Sequence, residues 1–431
     1  MLAASEIAMN FHEKPGFLRH PLKLLGIGCA VAGFALAMTW TLRIGVADMY
    51  FQRHTLADTE KAIRLTPSRA GYQEHLAGYL RDVDGQRATR ALQHAVALNP
   101  YDANAWIQLG LIYEAGNRLT DASRCLHQAA RIDHTFLPAW SLANFYFRQN
   151  NPDQFWYWIH EASRLVPEDA SPLFRLCWHF TDDANEIGKQ LDVNRPDMQA
   201  QYINFLISEN RMAAVGPAAL RLATRNRSQD TALLLNTSDW LISQHQATAA
   251  LNIWNLMAEQ HRIPFHAIHP RSKPAVTNAD FILSPTSIGF DWHLPTVTGI
   301  NASQENDHGG LRLEFSSDQP ESVEILTQVL AVQPNTAYNF MFDYSTSGIA
   351  PGTGLTWSVT NLGTGSVLAT SDSLSADKGT VGHLDFTVPA DSKFVRVLLV
   401  YQRALGTTRI EGSLVLHKTG LATAGSSKTE Q

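Results

Sequence analysis

The chain has 431 residues, too many for one ordinary hydrophobic core, so two or three folded units are expected. Hydrophobic residues make up 45 % and charged residues 17 %, the balance of a folded chain rather than a disordered one. A formal net charge of −6, with no Lys/Arg run interleaved with aromatics, argues against nucleic acid as a partner.

The first element is the uncharged run "LLGIGCAVAGFALAMTWTL", Leu24 to Leu42. Its 19 residues suffice to cross a bilayer core of about 30 Å at 1.5 Å per residue. Lys14, Arg19 and Lys23 precede it and Trp40 lies near its far end, the flanks expected of a span. A cytoplasmic segment 1–23, a transmembrane helix 24–42 and an exterior location for everything after about residue 43 are therefore predicted. A signal peptide cut at "ALA" (35–37) fits less well, because apolar residues continue past it. Cys29 lacks the leucine expected three residues before a lipid-modified cysteine. A buried core helix would be apolar on one face rather than all round.

Four runs then end alike: "AIRLTP", "AVALNP", "AARIDH" and "ASRLVP" close at Pro67, Pro100, His134 and Pro167, with steps of 33, 34 and 33. Within one period, "WIQLGLIY" (Trp106–Tyr113) carries large residues, and Ala122, Leu126 and Ala129 follow on the next helical stretch. Such a pair is an αα-hairpin that needs neighbours to bury its apolar face. The register runs upstream through Tyr72, Tyr79, Ala88, Leu92 and Ala95, and downstream through Trp140, Ala143, Phe147 and Ala162. Trp156 departs from it, standing where a small residue is usual. Cys125 and Cys177 lie among Leu and Ala in these helices and read as buried thiols, and no CxxC or paired cysteine ladder occurs.

This pattern resembles a tetratricopeptide repeat (TPR) array covering about 50–262, with a specific match at 103–136 and only helix pairs, such as Ser238–Gln260, towards its end. The resemblance implies a protein-binding groove lined by Ile107, Leu111, Glu114, Phe145 and Arg148. The carboxylate clamp known in that family is not reproduced, because Gln73 and Ala77 occupy its positions. "FWYW" (Phe155–Trp158) reads as packing between adjacent second helices rather than as a sugar platform.

A Pro-rich stretch at 263–277 is predicted to be a linker; His261, His266 and His269 around it are not interleaved with carboxylates, so no metal is expected there. Beyond Asn278 the apolar period changes to two. "YNFMFDY" puts Tyr338, Phe340, Phe342 and Tyr344 on one face, "LTWSV" does so with Leu355, Trp357 and Val359, and "FVRVLLVY" with Val395, Val397, Leu399 and Tyr401. Turn signals such as "QPNTA" and "APGTG" separate them, as in an all-β sandwich. The order "NADF", "GFDWHL", "LRLEF", "LTQVLAVQPNTAYNFMFDY", "LDFTVPADSKFVRVLLVY", "EGSLVLHK" resembles the jelly-roll carbohydrate-binding modules of the cellulose- and xylan-binding type, over 278–418. That resemblance implies a glycan face, for which Trp292, Gln328, Tyr344, Trp357 and Arg396 are the candidates. The structural calcium of that family would need more than the Asp280 and Glu411 present here. The tail 419–431 reads as disordered.

The expected fold class is thus multidomain: a transmembrane helix, an all-α TPR array and an all-β sandwich. No nucleophile elbow, phosphate loop or HExxH occurs, so an enzyme, a cofactor and a catalytic metal are not expected. The two resemblances and the anchor together imply a single-pass scaffold of the bacterial inner membrane. Its array would hold a protein partner and its sandwich would touch polysaccharide during exopolysaccharide or O-antigen assembly. The alternative is an envelope assembly factor that binds protein alone.

Overall fold

A computed structural model describes residues 19–166, 168–191, 197–271, 276–306, 309–376 and 378–424, with side chains described from residue 28 onward. The chain forms two compact units, Met1–Pro167 and Glu168–Gln431.

The first unit opens with α1 (Arg19–Phe51), whose Gly28–Phe51 stretch is long and apolar enough to cross a membrane and has no buried residue in its most apolar window. At 1.5 Å per residue its 33 residues span about 50 Å. The helix does not stop at Leu42. Its last turns dock on α2 (Leu56–Leu65) and α3 (Ala70–Leu80) through a small cluster of Ala47, Ala62 and Tyr72, with Tyr50 and Phe51 packed against it. The Phe51 ring lies 4.7 Å from both Tyr72 and His75, and Tyr72 donates to Asp48.

Helices α4 (Gly85–Leu98), α5 (Ala103–Ala115), α6 (Leu119–Ile132), α7 (Phe136–Arg148) and α8 (Pro152–Leu165) continue the array, paired as α3–α4, α5–α6 and α7–α8. Side chains start several of them: Asp84, Asp102 and Asn151 each accept from the backbone N–H three residues on. Asn117 and Asn150, with φ of 56° and 50°, turn the chain after α5 and α7, a left-handed cap that asparagine tolerates. Inside the α5–α6 pair the small residues do what the spacing implies: Ala122, Leu126 and Ala129 have no exposed surface. A Cβ on Gly110 would stand 2.9 Å from Leu126 Cγ, so glycine sets the closeness of the two helices. Of the "FWYW" run, Phe155 and Trp156 are buried, while the Trp158 ring meets His127 of α6 edge-on at 5.5 Å.

The second unit contains helices as well as the sandwich. Helices α9 (Ser171–Phe180), α10 (Ala184–Gln190), α11 (Met198–Ser208), α12 (Met212–Ala223), α13 (Thr231–Ser243) and α14 (Ala247–Glu259) precede it. The division of the chain therefore falls inside the 50–262 stretch and not at 263–277. The reason is aromatic: Trp254 of α14 is fully buried, stacks on Phe265 at 5.4 Å and meets Phe290 edge-on at 5.8 Å. Gly289 (φ 62°) lets the chain pass beneath that indole, since a Cβ there would stand 2.7 Å from its Cζ3. The segment expected to be a loose linker is pinned where it is described. Ile263 and Ile268 are buried, Asn255 brackets Ile268 through both backbone groups (2.8 and 2.9 Å), and Gln333 donates to the Pro270 carbonyl (2.9 Å). Residues 272–275 lie outside the described residues.

Nine strands among the described residues make the sandwich: β1 (Ile300–Asn306), β2 (Gly309–Ser316), β3 (Ser322–Ala331), β4 (Ala337–Ser347), β5 (Leu355–Asn361), β6 (Val367–Thr370), β7 (Thr380–Thr387), β8 (Phe394–Gln402) and β9 (Glu411–Thr423). One sheet has the order β1-β2-β9-β4-β7 and the other β3-β8-β5-β6, with every pairing antiparallel. The period-two faces named from the sequence, Tyr338 to Tyr344, Leu355 to Val359 and Val395 to Tyr401, all point into the shared core. Strand β9 runs to Thr423 and pairs with β4 up to Tyr338↔Thr423. The expected disordered tail from 419 is therefore strand over its first residues, and 425–431 lie outside the described residues.

Candidate functional site

In the first unit, Ile107 and Phe145 are only 5 % and 3 % exposed and belong to one apolar cluster running from Ala77 to Phe145. They do not line a groove; packing within the array has consumed them. Leu111 remains 37 % exposed and borders an open hollow of about 620 Å³ with Arg81, Tyr113 and Arg118. Glu114 and Arg148 form a two-pronged ion pair between α5 and α7, both contacts 2.7 Å. Arg118 stacks over Tyr113 at 4.2 Å while binding Asp121, so it too is committed within the array.

A second, more polar hollow of about 460 Å³ is lined by His54, Glu74, His75, Gly78, Tyr79, Asn104 and Gln108. Glu74 Oε1 accepts from the side-chain amides of Asn104 and Gln108, the latter at 2.6 Å. Burial, reinforced by the nearby Asp102, pushes the Glu74 carboxyl above the usual carboxylate range. None of these residues stands out in the sequence individually. The signal that finds them is spacing, since Glu74 and Gln108 are 34 residues apart, one repeat period.

In the second unit, four of the five glycan candidates are spent on the fold. Trp292 is fully buried between Phe281 (5.4 Å) and Trp357 (6.0 Å), with its N–H donated to the Asn278 carbonyl. "GFDWHL" turns inward because Asp291 accepts from the Thr286 N–H and hydroxyl (2.7 and 2.8 Å), and Ser287 donates to the Trp292 carbonyl. Trp357 packs edge-on against Phe340 at 5.2 Å, and Tyr344 is 7 % exposed. Gln328 is buried with its amide on the Thr277 carbonyl (2.8 Å). An indole surrounded by other rings offers no face to a sugar. Among the described residues of this unit every Trp, Tyr and Phe side chain is buried or half-buried.

Arg396 is the fifth, and it does reach open space. It lines a groove of about 430 Å³ between α13 and the outer face of β3-β8-β5, together with Asp239, His293, Thr327, Thr360 and Asn361. Its guanidinium forks onto Glu324 (2.6 and 3.4 Å). His293 Nε2 lies 3.6 Å from Asp239 Oδ1 and 3.1 Å from the Gly289 carbonyl oxygen. A neighbouring hollow of about 310 Å³, sharing His245, Asn361 and Leu362, extends the groove past Lys393 to half-buried Phe394. The lining offers hydroxyls, a carboxamide, an imidazole and charged groups, a set suited to hydroxyl-rich ligands. Among the described residues no group of three or more His, Cys, Asp or Glu side chains is arranged to hold a metal ion.

No protein-family model matches the chain, and no curated protein matches it. Among solved structures it is similar to the crystal structure of MamA, at 21 % identity over 29 % of this chain and 77 % of that chain, with a TM-score of 0.26. It is also similar to the PilF protein of Pseudomonas aeruginosa, at 14 % identity over 50 % of this chain and 90 % of that one, TM-score 0.27. A CBM4 structure is similar at 10 % identity over 35 % of this chain and 99 % of that one, TM-score 0.28.

Proposed function

We propose that the chain is a non-catalytic scaffold, held by α1 as a single pass in a bacterial inner membrane, whose helical array grips a protein partner outside the cytoplasm. The process proposed is polysaccharide assembly or export, of the exopolysaccharide or O-antigen kind. The observation that carries the reading is α1: an unburied apolar helix that runs without a break into stacked helix pairs. Soluble arrays have no use for such a face, which costs free energy wherever water meets it. The partner surface is the Leu111 hollow with its Arg81 and Arg118 rim.

Two measurements test this. Carbonate-washed membranes retain the chain, and a reporter fused after Thr423 reads as periplasmic or extracellular; release into the wash, or cytoplasmic placement, defeats the tether. Affinity capture from solubilised membranes with wild type and Leu111→Glu then tests the array. Loss of the same proteins from the variant supports the surface, and an unchanged set removes it.

A second reading gives the sandwich a glycan, supported by the hydroxyl- and amide-lined groove around Arg396 rather than by ring stacking. Arg396→Ala in the full chain is then expected to weaken glycan-array binding about tenfold, as loss of one charge-assisted hydrogen bond implies. A wild-type protein that retains no glycan leaves protein binding alone, the role that the burial of Trp292 and Trp357 favours.

A further inference from the structure

The hollow around Glu74 has a chemistry of its own. Its carboxylate comes from the middle of α3, and α5 presents Asn104 and Gln108 to the same oxygen, Oε1. Gln108 is steadied in turn by Arg81, which donates to its carbonyl oxygen at 3.4 Å. Two amide donors on one oxygen fix the plane of the carboxylate and leave Oε2 without a hydrogen bond among the described residues. No ion pair among those residues includes Glu74, nor does any include Asp102, the second acid near it. The other described glutamates of the same unit each pair with an arginine: Glu60 with Arg87, Glu114 with Arg148 and Glu161 with Arg164. Glu74 is thus a half-buried, oriented acid facing a cavity of about 460 Å³, with no Lys or Arg of the described residues in contact with it and the His75 imidazole as the nearby group that favours its charged form.

A half-buried carboxylate of this kind is stabilised by a cation that supplies hydrogen-bond donors. The remaining walls, His54, His75 and Tyr79, are rings, against which the flat, weakly hydrated guanidinium group can lie. We propose that this hollow is a receptor for a cationic side chain, arginine or lysine, carried by the protein partner. The proposal rests on the protein-scaffold reading and adds the chemistry of one contact. It reverses the charge sense of a carboxylate clamp: the array contributes the acid and the partner contributes the base.

The test uses the full chain in detergent micelles, labelled on Asn and Gln side-chain amides, with methylguanidinium as the probe at low ionic strength. A saturable shift of the Asn104 and Gln108 amide resonances is expected, along with at least tenfold weaker binding to Glu74→Gln, which keeps the shape and loses the charge. Tetramethylammonium, a cation without N–H donors, is expected to leave those resonances unmoved. An equal response of wild type to both cations overturns the proposal without any variant, and so does undiminished methylguanidinium binding by a folded Glu74→Gln. Because no partner enters this measurement, its failure leaves the scaffold standing. A wild type that binds methylguanidinium yet captures no partner defeats the scaffold and not the pocket.

Discussion

The indole of Trp292 touches Phe281 and Trp357 and has no exposed surface, so truncating it leaves a void that the rigid sheets around it cannot close. Trp292→Ala is expected to cost about 3–5 kcal/mol, as large-to-small core changes do, and to lower the unfolding midpoint in calorimetry. A variant as stable as wild type would show that the ring is dispensable to the core. The two buried cysteines, Cys125 and Cys177, make a second case. Burial pushes the Cys125 thiol up to about 11 and the fully buried Cys177 thiol higher still, above an ordinary value of 9.0. The unfolded chain therefore gives up these protons at lower pH than the folded one, so their contribution to stability is intact below about pH 9 and is lost as pH rises beyond it. Both thiols are expected to resist maleimide at pH 8 until the chain is unfolded, and rapid native labelling of Cys177 would contradict its burial. At Asn150 the backbone φ of 50° suits Asn or Gly and strains a β-branched residue, so Asn150→Val is expected to cost roughly 1–2 kcal/mol while Asn150→Gly is nearly neutral, read from thermal midpoints.

Helix pairs in the first unit are spaced by their small residues, and this was legible in the chain. Ala129 has no exposed surface, so Ala129→Trp must push α5 and α6 apart; a loss of about 1–3 kcal/mol in denaturant unfolding is expected, and unchanged stability would contradict the register. The strand faces were equally legible, because alternation reports burial directly: Tyr338, Phe340, Phe342 and Tyr344 are all core. What stayed hidden was which aromatic outside a strand is core, since a loop has no period, and the inward turn of Trp292 depends on Asp291 capping Thr286. Also hidden was the burial of Ile107 and Phe145, positions that the family pattern assigns to a groove. Polar contacts between first helices recur at the repeat interval: Glu74–Gln108, Glu114–Arg148 and, in the second unit, Arg175–Glu209 each join residues 34 apart. The period thus outlasts the apolar signature, which fades after about 170.

Across the whole chain, the two compact units do not coincide with the change from helix to strand. Helical period and strand period mark secondary structure, whereas Trp254, Phe265, Phe290 and the Asn255 bracket mark which elements travel together. Those are contacts between residues distant in the pattern, and no periodicity encodes them. The docking of α1 carries a mechanical consequence. A tether joined by a flexible linker lets its cargo rotate freely, but Ala47, Asp48 and Phe51 are clamped to Tyr72 and His75, so the apolar stretch of α1 and the helices it docks on share one shaft. One residue inserted between Arg43 and Ala47 turns that shaft by about 100°, whereas seven turn it through nearly two full revolutions. If α1 spans the membrane, as proposed, and the partner is itself fixed in its plane, capture is expected to fail with one added residue and to return with seven. Partner recognition would then follow the pitch of the helix, and capture indifferent to both insertions would mean that the partner approaches freely from solution.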